Sequence, residues 1–442
     1  MLNPHDPFAP ILFGVTLILV AALLSRVLCR KLEFPTLVGE LLIGIILGCG
    51  LSALGYEFIS VLHGWGPNAS LAALATTGTH GEPGVATGVS LADFHVDEYW
   101  KVFLAHGFFF EFGILFLLFH LGLSANLDRL RNVSRESVSV ALVGVFSPFA
   151  LGFLAVWLVV PDVSVVEQLF IGATLAATGV GVTDRAFRRI GHENSRHAQI
   201  VLGAALLDDA AVLVVMVFAM TIMASDVVSL DQFVRVSLVA FIFLSLVVAL
   251  GPWVSARLAT LLHLVDVMEA KLFVSLIFAL GLAWFANLIG ISPLFGAFAA
   301  GMLLDKNADV QLRGTEAPYV SIRELLAPLE AILVPVFFVM IGIQVHLEVL
   351  AEPGVIVAAV TILLVAFLGK MVSGLAARPE SGRMLVGIGM LPRGEVGVVF
   401  AAVGHALGVL NTAVFSILVL MVILTTLLAP LMLRMTCRAR EK

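Results

Sequence analysis

The chain has 442 residues, 60% of them hydrophobic and only 13% charged, with a formal net charge of -6. Soluble domains run near half apolar and about a quarter charged, so this composition excludes a water-soluble enzyme and a disordered or fibrous chain, and indicates a polytopic membrane protein. Three cysteines without paired spacing (Cys29, Cys49 and Cys437) exclude a disulfide framework and a cysteine metal site, and no nucleic-acid signature is present.

A bilayer core needs roughly 20 apolar residues per helix. Apolar runs bounded by charged or Pro/Gly-rich breaks predict thirteen spans, near 9–29, 35–54, 100–123, 137–160, 167–190, 197–223, 232–254, 270–289, 291–304, 327–346, 353–376, 384–405 and 411–433. The first lacks a basic leader and an Ala-x-Ala-like cleavage site, so it reads as a mature span and not a signal peptide. Residues 56–98 form a long loop rich in Gly, Ala and Thr, and 305–326 a charged one. Only the short stretch 434–442 follows the last span, so no nucleotide-binding or regulatory domain is expected there.

Basic residues orient these spans. One set of alternate loops collects Arg26, Arg30, Lys31, Arg129, Arg131, Arg135, Arg185, Arg188, Arg189 and Arg196 in the first half, and a similar excess in the second, ending in Arg434, Arg438, Arg440 and Lys442. The opposite side holds only Lys101 and Arg235. The positive-inside rule then places the N-terminus outside and the C-terminus in the cytoplasm.

An ionisable side chain at bilayer depth costs about 2.5–3.5 kcal/mol on insertion scales, which makes each one a functional candidate. Within the spans these are Glu40, Glu111, Asp208, Asp209, Lys370, Arg393 and Glu395. His106, His120 and His405 are weaker candidates, because an interior histidine is more often a satisfied core residue. The sharpest feature is LGAALLDDAAVLVVMVF (202–218), two adjacent carboxylates in mid-span with no local cation. Neighbouring side chains on a helix point about 100° apart, so one acid can face a water-filled cavity while the other pairs with a base on another helix. A carboxylate poised in this way can hold either a proton or a hard cation such as Na⁺. Lys370, in VIVAAVTILLVAFLGKMVSGLAA (355–377), either snorkels to the surface or pairs with one of these acids.

Two spans carry helix-weakening interruptions. Span 5 contains ATGVGVTD (177–184), and span 12 contains GMLPRGEVG (389–397), where Pro392 removes a backbone donor and the glycines loosen the rest. Unwound backbone at membrane depth is tolerated only where it lines a cavity or is buried in protein. Spans seven apart run in opposite directions, and interruptions at matching places of two inverted halves point to a transporter's binding site. Arg393 and Glu395, beside the second break, suit a structural role: neutralising one another, the half-helix dipoles or Glu111.

Taken in order, LLDDAAVLV, the interrupted ATGVGVTD and the interrupted GMLPRGEVG resemble the monovalent cation:proton antiporter superfamily. VPVFFVMIGIQVHLEVL (334–350) and FPTLVGELLIGIILG (34–48) are similar to its other recurrent stretches, and the likeness runs from about residue 10 to 434. Adjacent aspartates resemble the branch that includes bacterial electrogenic sodium/proton antiporters. The electroneutral branch usually has Asn-Asp there. The potassium-efflux relatives usually have Gln-Asp and a nucleotide-binding domain.

The resemblance implies an all-α fold of about thirteen transmembrane helices in inverted repeats, with broken spans 5 and 12 crossing. It implies dimerisation-domain helices in 1–133 and 266–350, core helices in 134–226 and 351–442, and a linker helix in 227–265. Asp209 matches the aspartate that carries cation and proton. Asp208 matches the neighbour that pairs with a lysine, here Lys370, and Thr178 matches a position that offers oxygen to the cation. The implied protein is a homodimer in a bacterial-type plasma membrane, a secondary-active exchanger of Na⁺ (or Li⁺ or K⁺) for protons with no cofactor. Rival readings are a K⁺/H⁺ exchanger or K⁺ efflux protein, a channel or non-transporting ion sensor on the same fold, and a Na⁺-coupled symporter.

Overall fold

The computed structural model describes residues 8–32, 34–53, 112–123, 134–159, 163–225, scattered positions between 238 and 257, 268–290, 292–304 and 322–440. Glu111, the loop 56–98 and most of the expected seventh span lie outside the described residues. Regular structure among the described residues is helical, with no strand. The helices are α1 (Phe8–Leu32), α2 (Thr36–Ala53), α3 (Phe112–Leu123), α4 (Arg135–Val159), α5 (Val165–Ala176), α6 (Val180–Arg189) and α7 (Arg196–Ser225). They continue as α8 (Met268–Leu288), α9 (Pro293–Leu304), α10 (Ile322–Ile343), α11 (Pro353–Ser373), α12 (Arg383–Gly389), α13 (Gly394–Ala406) and α14 (Thr412–Arg440).

Each expected span other than the seventh contains described helix, and the boundaries differ where packing or solvent decides them. Helix α10 begins at Ile322, ahead of the apolar run, because Ile322 and Leu326 pack into a cluster with Phe116, Phe119 and Ala297. Helix α14 continues to Arg440, past the apolar stretch, where backbone hydrogen bonding persists without a membrane-facing requirement. Among the described residues six stretches are long and apolar enough to cross a membrane, and the pair α12–α13, bent by 44°, makes a seventh. Helices α5 and α6 together supply one of the six, Val165–Arg189.

Apolar side chains both fill the interior and cover much of the outer surface. Large apolar side chains face outward, as on α4 (Phe146, Trp157) and α8 (Ile277, Trp284), while Asp208, Lys370, Arg393, Thr178 and Thr183 are enclosed. Charged residues are almost never fully buried unless paired, so the interior is organised around these few groups. Helices α4, α5, α7 and α11 to α14 pack on one another, α2 crosses α10, and α8 lies against α9. At the α2–α10 crossing Gly44 meets Gly342, and at the α3–α9 crossing Gly122 meets Gly301, each so close that a Cβ would strike the opposing backbone. Without a hydrophobic drive between helices in lipid, such small-residue contacts are how helices associate there.

Candidate ion-binding site

The site is made by two helix interruptions. Ser164 caps α5 by accepting the Glu167 N–H at 3.1 Å, and the helix ends when Ala177 turns extended (φ -57°, ψ 148°). Gly179 then starts α6. At the second interruption α12 stops at Gly389, and α13 restarts at Gly394, whose φ of +60° favours glycine. The two interruptions touch. The Gly179 N–H donates to the Pro392 carbonyl at 2.7 Å, and a Cβ on Gly179 would sit 2.7 Å from Gly394 Cα. Thr183 Oγ1 adds a tie from α6 to the Gly389 carbonyl at 3.0 Å.

A broken helix leaves its last carbonyls without intrahelical partners, at the negative end of the helix dipole. Two buried cations meet that end of α5. Lys370 Nζ, from α11, donates to the Ala176 carbonyl at 2.6 Å. Arg393 Nη1 donates to the Ala177 carbonyl at 3.2 Å, and its Nη2 to the Ala366 carbonyl of α11 at 2.5 Å. Among the described residues no ion pair joins Arg393 to Glu395. One of these Arg393 bonds meets the end of α5 and the other the middle of α11, while Glu111 lies outside the described residues.

Lys370 also donates to Asp208 Oδ2 at 2.6 Å, and both side chains are completely enclosed. The lysine does not snorkel, because its aliphatic stem carries the ammonium inward to α5 and α7. Thr178 Oγ1 donates to the same Asp208 oxygen at 2.7 Å. The threonine therefore orients Asp208 directly, and only its remaining lone pairs face a potential ligand. Asp209, one residue on, is 5% exposed. Among the described residues its Oδ1 and the Oδ1 of Asp208 have no hydrogen-bond partner. A buried carboxylate oxygen without a donor costs free energy, and a proton or a hard cation is what relieves that cost. The charged groups in range of Asp209 are Asp208, Glu395 and Lys370.

Sequence reasoning missed the Ala176, Ala177 and Ala366 carbonyls and the Thr183 tie. The breaks signalled that some backbone groups need partners but not which side chains reach them. Glu40, another carboxylate from the spans, lies on α2 with its Oε1 3.2 Å from Arg26 Nε of α1.

Residues 17–439 match the family model described as "Sodium/hydrogen exchanger, transmembrane". The chain belongs to this family. Among relatives of this exchanger, the High-affinity Na(+)/H(+) antiporter NhaS3 of Synechocystis sp. is 32% identical over 98% of this chain and 91% of its own length. The Na(+)/H(+)-K(+) antiporter GerN of Bacillus cereus is 27% identical over 97% of each. The solved structure of the sodium proton antiporter MjNhaP1 from Methanocaldococcus jannaschii superposes with a TM-score of 0.61 at 17% identity, over 97% of this chain and 96% of that one, a likeness of fold. The protein is thus a multi-pass membrane protein of the monovalent cation:proton antiporter superfamily.

Proposed function

We propose that this exchanger is a secondary-active antiporter that moves Na⁺, with Li⁺ or K⁺ as alternatives, against protons. The observation that carries the reading is the division of labour between the two aspartates. Lys370 and Thr178 occupy Asp208, while Asp209 is buried beside it with an oxygen that accepts from no group among the described residues. Asp209 binds the cation when ionised and releases it when protonated, so the two ions compete for one carboxylate. The likeness to NhaS3 and GerN, both named as sodium/proton antiporters, supports the same exchange.

In this reading the helices of 134–226 and 351–442 carry the site past those of 1–133 and 266–350 by elevator-type alternating access, with 227–265 as linker. The inverted repeat is supported by a correspondence: exchanging spans seven apart turns the Gly44–Gly342 crossing into Gly301–Gly122, and the contact of the two breaks into itself. Transport is electrogenic if Lys370 releases its proton when cation binding disturbs its pair with Asp208. The protein acts as a homodimer in a bacterial-type plasma membrane, N-terminus outside, and serves pH homeostasis. The K⁺ in GerN's name makes K⁺/H⁺ exchange the second reading.

The test is purified protein in proteoliposomes with an imposed pH gradient, given Na⁺, Li⁺ or K⁺ in turn while luminal pH and membrane potential are followed. Cation-dependent proton flux with net charge movement is expected. Flux without charge movement defeats the electrogenic part, and no flux with any cation defeats the antiporter.

A further inference from the structure

The end of α10 meets the corner between α13 and α14 on the side that the proposed orientation turns outward. Past α10 the chain folds inward, with Gln344 and Val345 buried. The His346 N–H donates to Ser416 Oγ of α14 at 3.1 Å, and that hydroxyl donates on to the Thr412 carbonyl at 2.8 Å. The bond joins 266–350 to 351–442, across the boundary along which the two groups slide in the proposed cycle. The corner that presents Ser416 is tightly closed. The Val409 and Leu410 N–H groups both donate to the Gly404 carbonyl, at 2.9 and 3.0 Å, and Asn411 Oδ1 accepts the Val414 N–H at 2.8 Å to cap α14.

His405 sits inside this corner, 4% exposed. Its ring stacks on Phe415, the neighbour of Ser416, with centroids 4.4 Å apart and planes 14° from parallel. Its Nδ1 lies 3.0 Å from the Leu410 carbonyl, and since a carbonyl only accepts, Nδ1 carries the proton. A second proton, on Nε2, would put a charge into this enclosed stack. The neighbours offer it no counter-charge. Helix α14 presents Phe415, and α5 presents Phe170, which a Cβ on Gly404 would meet at 2.8 Å. The end of α10 presents His346, a like charge when protonated. Among the described residues no carboxylate forms an ion pair with His405.

We propose that the His346–Ser416 bond is a latch holding the outer ends of the two groups together, and that protonation of His405 releases it. A charge buried without a partner is costly. Parting the α13–α14 corner from the end of α10 admits water to the imidazolium and breaks the Ser416 bond in the same movement. Histidine titrates in the range where outer acidity would act on it, so acid opens the side from which protons enter. The latch takes its place in the cycle from the elevator reading, but its opening is measurable without transport.

The experiment is hydrogen–deuterium exchange of the solubilised full chain at pH 7.5 and 5.5, each corrected for the intrinsic exchange rate, since protection reports local opening. Protection at 344–350 and 405–416 should fall at least about fivefold at pH 5.5 in the wild type, while 176–180 at the break contact stays protected. His405→Gln keeps an amide donor for the Leu410 carbonyl but cannot become cationic, and should abolish the fall. A fall that persists in His405→Gln, or none in the wild type, overturns the proposal. If His405→Gln does not fold, Ser416→Ala decides: protection at His346 should be low at both pH values, and wild-type protection there overturns the latch. In proteoliposomes Ser416→Ala should change the maximal rate of exchange and leave the KM for Na⁺ unaltered, since the hydroxyl touches neither aspartate; an unaltered maximal rate overturns the latch as part of the cycle. Should the wild type exchange nothing, the antiporter reading fails, and amide protection alone upholds or overturns the latch.

Discussion

Lys370→Gln removes the cation from a pair whose two side chains are wholly enclosed, at 2.6 Å. Breaking a buried pair by deleting one partner costs about 3–5 kcal/mol, because the surviving charge is left in low dielectric. Two features place this case within that range. Asp208 retains the Thr178 hydroxyl at 2.7 Å and the field of Arg393, which argues for the lower end. The Ala176 carbonyl loses its donor, which adds back about 1 kcal/mol. About 4 kcal/mol is the resulting estimate. The assay is thermal unfolding of the solubilised protein, comparing Lys370→Gln with the double variant Lys370→Gln/Asp208→Asn. Neutralising Asp208 removes the stranded charge, so the double variant should unfold above the single one and below the wild type. A double variant no more stable than the single would refute the reasoning, since the cost would then not arise from an uncompensated carboxylate.

Gly179→Ala should separate the two breaks, since its Cβ has only backbone to displace; overpacking of this kind costs about 1–3 kcal/mol, and hydrogen exchange at 176–180 and 390–394 should rise, with unchanged exchange counting against the contact. Arg393→Gln leaves the Ala177 carbonyl, past the end of α5, without its side-chain donor at about 1–3 kcal/mol, and removes the second acceptor contact to Ala366 inside α11; it should loosen α11 against α5 as read by limited proteolysis, and an Arg393→Gln protein as resistant as the wild type would contradict this role. In the proposed exchange one carboxylate holds either ion, so acidification should raise the apparent KM for Na⁺ by up to about tenfold per pH unit while the rate at saturating Na⁺ changes less. A pH effect confined to the maximal rate speaks against competition.

Much of this arrangement is legible in the chain because the membrane makes local rules strict. A run of about 20 apolar residues has few alternatives to a helix in lipid, and a Pro or paired glycines within it mark where the ladder fails, as at ATGVGVTD and GMLPRGEVG. The adjacent aspartates and Lys370 stand out for the same reason. What pattern does not show is which group meets which. Thr178 goes to Asp208, and Arg393 reaches two carbonyls and not Glu395, because α5, α11 and α13 meet at angles that no single helix encodes. Glu395 instead turns to the space left by Gly181, a pairing of positions far apart in the chain. Helix ends also escape pattern: α10 starts early because Ile322 and Leu326 find a core to enter.

In the proposed exchange Asp209 alone carries cation and proton in alternation. Proton release on adding Na⁺ to lightly buffered, solubilised protein, with Asp209→Asn measured beside the wild type, tests it most directly. The account predicts release by the wild type that saturates with Na⁺ and is absent from Asp209→Asn, whose folding is checked by its retained unfolding transition. Undiminished proton release from Asp209→Asn would contradict it and move the exchanging carboxylate elsewhere.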